Sequence, residues 1–377
     1  MERYCERCER VTVDGHLWCQ DPECPAEEGY ALLGYGDYLG DLKVTKLVRV
    51  WRTAALYEAE RQGLEVLLKV AHPTDECAER LKREALLLEA LAPWRSGVAA
   101  WIRSFLPSRR DVLPVPLAPY PTRMKRPYGE ITFRGEPRVY SVYRHAKGKI
   151  LSDVLLENPQ LWHTYASWIV QTVGESLYPL VANNRMHLCL TPDVVMVEAD
   201  KEGVLRPMLL DLGLLLDGSE NGHLGDWLRL CEPAYSAPEL LAGARPEAVS
   251  PAADVYSLGM ILYEMLAGHP AFETKLRRDD QLREDVTQNR KPLALGRPEL
   301  EQSGVTGIVE RAVAPTGRYA NVIEFTRALA KVYSSPPAEK RPIPRRLVVL
   351  LVLAAVVLLA VGILAAIILL PVLLGGG

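Results

Sequence analysis

Between Leu347 and Leu370 lie 24 residues without a single charge. As an α-helix this run would reach about 36 Å at 1.5 Å per residue. That exceeds the ~30 Å hydrocarbon core of a bilayer, so one tilted transmembrane helix is the expectation here. The alternative, a buried core helix, would need apolar partners on every side. Lys340, Arg341, Arg345 and Arg346 precede the run, and only Pro371 to Gly377 follows it. By the positive-inside rule the N-terminal bulk then lies in the cytoplasm, on the inner face of the cell membrane. The opening residues Met1-Glu2-Arg3-Tyr4-Cys5 hold no apolar run, so no signal peptide is expected.

The 49% hydrophobic content is inflated by that segment, since 26 of the 28 residues from Leu347 to Leu374 are apolar. The remainder, with 24% charged residues over the whole chain, has an ordinary globular composition and can bury a sizeable core. With 44 Lys+Arg against 47 Asp+Glu, no global attraction to nucleic acid exists, and none is expected as a partner.

Four of the seven cysteines fall early, as Cys5-x2-Cys8 and Cys19-x4-Cys24. Two close thiolate pairs bracketing a short loop suit tetrahedral Zn²⁺. Residues 1–28 are too few to bury a core alone, so a structural zinc is expected as their staple. Unmetallated thiols or another metal are the other readings, and His16 could replace one ligand. The segment resembles zinc-ribbon knuckles, although x4 in the second pair departs from the usual x2.

Beyond it the pattern is first strand-like and then helical. Lys43 to Val50 alternates in part, and Ala54–Glu60 and Leu64–Ala71 read as strands around a turn at Gln62-Gly63. Glu76 to Leu91 reads as a helix with Leu81, Ala85 and Leu88 on one face, and Val139–Tyr143 as a further strand. Helical patterns follow around Trp168–Leu177 and Val255–Ala267. A strand-rich part followed by a helical part predicts an α+β body. Residues 334–346 form a Pro-rich, basic linker, extended and semi-rigid, that leads to the 347–370 span.

Lys69 ends the strand Val66-Leu67-Leu68-Lys69, and Glu84 lies in the next helix. Asp211-Leu212-Gly213 follows an apolar strand, then come Ala237-Pro238-Glu239, Asp254 in Ala253–Gly259, and Arg318. In this order and spacing the chain resembles the Ser/Thr protein kinase family over residues 33–333. The resemblance implies a bilobal fold, with a β-rich lobe over about 33–143 and a helical lobe over about 144–333. It further implies that Lys69 and Glu84 form the ion pair that holds nucleotide phosphates, and that Asp211 holds Mg²⁺. Glu239 is expected to pair with Arg318, and Asp254 to brace the catalytic-loop backbone.

The catalytic loop departs from the family. Its H-R-D-L-K-P-x-N pattern falls on His187-Leu188-Cys189-Leu190-Thr191-Pro192-Asp193-Val194. Cys189 stands where the family has its catalytic aspartate, Thr191 where it has lysine, and Val194 where it has the second Mg²⁺ ligand. A thiol is a poor proton acceptor of this kind unless its pKa is strongly perturbed. Glu232 replaces the activation-segment threonine. Val48, Val50 and Thr53 stand at the glycine places of the phosphate-binding loop, where Cβ atoms keep the backbone away from phosphates. Ala55 and Leu67 are expected to sandwich an adenine.

These departures predict a membrane-anchored pseudokinase with weak ATP/Mg²⁺ binding and a scaffolding or regulatory role. Protein partners are expected on the kinase-like body or the zinc ribbon. Two other readings stand beside it: an active Ser/Thr kinase with displaced catalytic groups, and a zinc-ribbon adaptor whose kinase-like body is a spacer.

Overall fold

Hydrophobic alternation around the Gln62-Gly63 turn sets the first layer. In the computed structural model the strands run Ala54–Arg61 and Leu64–Ala71. Gln62 and Gly63 both take positive φ, 52° and 78°, the primed turn that matches strand twist. The structure describes residues 2–5, 11–13, 29–91, 112–119, 126–217, 228–242, 249–272, 279–288, 297–334 and 353. All but Leu353 belong to a unit spanning Met1–Ala92 and Asp111–Pro336.

The antiparallel sheet of this unit has the strand order Tyr38–Leu39, Leu42–Val50, Ala54–Arg61, Leu64–Ala71, Glu136–Arg144 and Pro116–Leu117. A seventh strand, Gly129–Phe133, also pairs with Glu136–Arg144. From Val66 to Ala71 every residue is buried, because both faces of the sheet are covered. On the outer face Ala55, Tyr57, Ala59, Val66, Leu68 and Val70 join one core cluster. On the inner face Ala54, Leu56 and Leu67 join the main core. The helix Asp75–Leu91 packs against this sheet, burying Cys77, Arg80, Leu81, Glu84, Ala85 and Leu88.

The N-terminal strands Glu2–Tyr4, Val11–Val13 and Tyr30–Ala31 form a small sheet. It is stacked on the larger sheet through His72, whose ring lies 5.1 Å from that of Tyr4 and 4.9 Å from that of Tyr30. Of the expected zinc ligands only Cys5 is described, and it is buried. Cys8, Cys19 and Cys24 lie outside the described residues. Among the described residues no group of three or more His, Cys, Asp or Glu side chains is placed to hold a metal ion.

The second part of the unit is helical. Ala252–Ala267 is buried on nearly all faces and ends at Gly268, whose φ of 85° provides the left-handed C-cap. His163–Ser176, Val305–Val313 and Val322–Val332 pack around it. Asn321 caps the last of these by accepting from Ile323 N and Glu324 N. The α+β order expected from the sequence is the one found. Among the described residues no helix is long and apolar enough to cross a membrane. The expected span, 347–370, lies outside the described residues except for Leu353.

Candidate functional site

Strand periodicity aims Lys69 inward, and the helical stripe Cys77, Arg80, Leu81, Glu84, Leu88 aims Glu84 at it. Lys69 Nζ donates to Glu84 Oε1 and Oε2 at 2.8 and 2.7 Å and to Asp211 Oδ2 at 2.7 Å. Lys69, Glu84 and Asp211 are 0%, 0% and 3% exposed, so this cluster is sealed from water. A residue that the sequence reading did not single out completes it. Arg80, one turn before Glu84, is 1% exposed and donates to Asp211 Oδ1. Its other terminal nitrogen lies 3.5 Å from Glu84 Oε2. Its spacing on the buried face was the available signal, since a charge at i−4 from Glu84 must share that face.

Two cations thus neutralise two carboxylates, the condition under which buried charge is tolerated. Burial alone would push the Asp211 carboxyl up, but Arg80 and then Lys69 hold it well below the usual carboxylate range. Gly213 N also donates to Asp211 Oδ1, at 2.6 Å. Gly213 itself is obligatory: its φ is +67°, and a Cβ there would collide with the His187 carbonyl oxygen.

The segment in place of the glycine loop enters the cleft. Trp51 is 8% exposed, with its ring centroid 5.0 Å from Lys69 Nζ. Its Nε1 donates to Asp193 O at 3.1 Å, across 142 residues. Charged neighbours hold it there. Arg49 reaches Asp153 at 2.5 Å and Ser152 at 3.3 Å. Arg52 donates to Asp279 at 2.6 and 2.9 Å, to Glu232 at 3.0 Å, and to the carbonyls of Arg229 and Cys231 at 3.2 Å. The side chain that replaces the family's threonine, Glu232, is therefore a partner of this clasp.

The placement of Ala55 is a correction. It pairs with Val70 on the outer face, whereas Leu56 pairs with Lys69 and faces inward with Leu67. One residue along a strand reverses the face, so Ala55 and Leu67 cannot contact one adenine from the same side.

The catalytic-loop position is firmly built. Asp254 accepts from His187 N at 2.9 Å and Leu188 N at 2.7 Å. That pair of bonds holds Leu188 in the left-handed region, at φ 65°, a conformation that costs a non-glycine residue about 1–3 kcal/mol. His187 Nε2 meets Asp211 O at 2.9 Å. Burial pushes His187 down to about 4, and pushes Asp254 up to about 6 against its two backbone hydrogen bonds. At the next residue the sequence reading expected a thiol. Instead Cys189 is bonded to Cys231, with Cα atoms 4.8 Å apart, within the span a disulfide needs. Thr191 and Val194 are buried. Asp193 does not turn toward Cys189, because its Oδ1 accepts from Ser152 Oγ at 2.5 Å. Farther off, Arg318 forms a bidentate pair with Glu239, both contacts at 2.7 Å.

A family model of the protein kinase domain matches residues 130–309. The serine/threonine-protein kinase PknK of Mycobacterium bovis is 29% identical over 224 residues, 57% of this chain and 19% of PknK. PkaA of Streptomyces coelicolor, also a serine/threonine-protein kinase, is 32% identical over 125 residues, 33% of this chain and 22% of PkaA. The chain thus spans about a fifth of the length of these relatives. The crystal structure of a double mutant of the Mycobacterium tuberculosis PknI kinase domain aligns with a TM-score of 0.51 at 17% identity. That alignment covers 80% of this chain and 99% of the other. A second double mutant of the same domain gives 0.51 at 21% identity, with the same coverage of 80% and 99%. The chain has the protein-kinase fold, and the curated proteins it resembles are serine/threonine-protein kinases.

Proposed function

We propose that this chain is a pseudokinase, a kinase fold that acts by binding and regulation without phosphotransfer. The observation that carries the reading is the braced catalytic loop, which presents Cys189 in a disulfide where a carboxylate base would have to be. Bonded to sulfur, Cys189 can neither accept the substrate hydroxyl proton nor bind a metal as thiolate, and as a reduced thiol it is a poor substitute for the carboxylate base.

ATP and Mg²⁺ do not fit the arrangement around Lys69. Both oxygens of Asp211 already accept from cations, Lys69 and Arg80, so a metal ion would have to displace one of them. The Trp51 ring lies beside the Lys69 ammonium, where phosphates would need to approach. Weak nucleotide binding then requires Trp51 to leave the cleft. Thermal melting of the 377-residue chain with millimolar ATP and Mg²⁺ tests this. The expected outcome is no resolvable shift; a large, Mg²⁺-dependent stabilisation would overturn it.

The active-kinase reading has one observation on its side, the intact Lys69–Glu84 pair at 2.7 Å. A regulatory role at the inner membrane face, anchored by residues 347–370 with protein partners on the kinase-like body, belongs to the same proposal. So does one structural zinc held by Cys5, Cys8, Cys19 and Cys24. Supporting these are the uncharged run after Arg346 and the spacing of the four cysteines.

A further inference from the structure

Cys189 and Cys231 are brought together by two networks that do not depend on the bond between them. On one side, Leu188 N is held by Asp254 and Cys189 N by His187 Nδ1 at 3.2 Å. On the other, Cys231 N donates to Leu228 O at 3.2 Å, and Leu228, Leu230 and Cys231 are buried in one apolar cluster. The two sulfurs differ in access. Cys231 is 1% exposed, whereas Cys189 is only partly buried. Thiol–disulfide exchange needs one sulfur open to attack and a partner able to leave and return.

We propose that Cys189–Cys231 is a reversible redox site that locks the end of the activation segment onto the catalytic loop. An external low-molecular-weight thiolate attacks Cys189 Sγ. The sulfur–sulfur bond breaks, and Cys231 leaves as thiolate and takes up a proton. A second thiolate then resolves the mixed disulfide, releasing Cys189 as a thiol and the small molecule as its disulfide. The two electrons that reduce the protein come from the two small thiols. Oxidation is the reverse, with a low-molecular-weight disulfide as acceptor.

The lock bears on the cleft because Arg52 donates to the carbonyls of Arg229 and Cys231. Cross-linking Cys231 fixes those acceptors, and with them the clasp beside Trp51. Reduction frees the segment end. Arg229 supplies the readout, since it is exposed and two residues from the bond.

The test equilibrates the 377-residue chain in glutathione buffers from fully reduced to mostly oxidised, followed by acid quench, alkylation and peptide mass analysis. The expected result is a Cys189–Cys231 linked peptide that appears in oxidising buffer and disappears on return to reducing buffer. Tryptic cleavage after Arg229, timed on the native protein, is expected to be at least tenfold faster in the reduced state. Cys189→Ser and Cys231→Ser should each show the fast rate in both buffers; two variants guard against either one misfolding. Absence of the linked peptide in oxidising buffer would overturn the site. A linked peptide with unchanged cleavage rates would overturn the lock.

Discussion

Replacing Arg80 with methionine removes one charge from a sealed set of four. Arg80 is 1% exposed and bonds Asp211, with Glu84 at 3.5 Å. After the change, Glu84 and Asp211 both face Lys69 alone, each at 2.7 Å. The site then carries one uncompensated buried negative charge. Breaking a buried pair in this way costs about 3–5 kcal/mol, against a total stability of about 5–15 kcal/mol for a domain. Methionine keeps much of the apolar stem, so most of the loss is electrostatic. Urea denaturation of wild type, Arg80→Met, Asp211→Asn and the double variant measures it. If Asp211 is the main partner, the double variant loses less than the sum of the singles by at least about 1.5 kcal/mol. The pH dependence supplies a second sign. Burial raises a carboxyl that has lost its cation, so Arg80→Met should gain stability as pH falls, a gain that comes from protonating that carboxyl. Additive singles, or a loss below about 1 kcal/mol for Arg80→Met, would show that the four groups are not coupled.

Trp51→Ala should cost about 3–5 kcal/mol, and in that variant alone should ATP begin to stabilise the protein in melting experiments; equal nucleotide effects in wild type would argue against a filled cleft. Arg52→Ala should cost about 1.5–3 kcal/mol and speed amide exchange at Trp51, whose N–H donates to Ala54 O; unchanged exchange there would separate Arg52 from the clasp. Burial pushes His72 down to about 4 from an ordinary 6.5, against its bond to Trp51 O, with Arg138 adding to the depression. The folded state therefore refuses a proton that the unfolded state accepts, and the contribution of His72 to stability falls by roughly 3 kcal/mol as pH drops from about 6.5 to about 4, with His187, also pushed down to about 4, acting in the same direction. His72→Phe should remove that part of the slope in denaturation measured across the window, whereas Asp254, pushed up to about 6, contributes in the opposite direction in both proteins. Metal analysis should find one zinc per chain, lost in Cys5→Ser/Cys8→Ser; no zinc in wild type would remove the ribbon reading.

What the sequence made legible was local or periodic. Alternation located the strands on either side of Gln62-Gly63, and the 3.6-residue stripe located the helix that carries Glu84. Lys69, Glu84 and Asp211 were picked out through the resemblance to the kinase family, and the structure brings all three together. Ala55 failed because strand register is a parity question, and an alignment one residue out inverts the answer. Arg80 was legible in principle, since an arginine on a buried helical face requires an acidic partner. The Trp51 and Arg52 contacts join residues 142 to 227 apart, and no local pattern encodes such pairs. The Cys189–Cys231 bond was hidden for a similar reason: it depends on how closely two loops approach, 42 residues apart in sequence.

The central claim is a kinase fold that does not transfer phosphate. Its most direct test incubates the 377-residue chain with labelled ATP and Mg²⁺, using the chain itself and a generic basic protein as acceptors, with Lys69→Ala as the control. The account predicts incorporation no greater than that of Lys69→Ala, in oxidising and reducing buffer alike. Robust incorporation that is lost in Lys69→Ala would contradict it and show that another group performs the work of the absent aspartate.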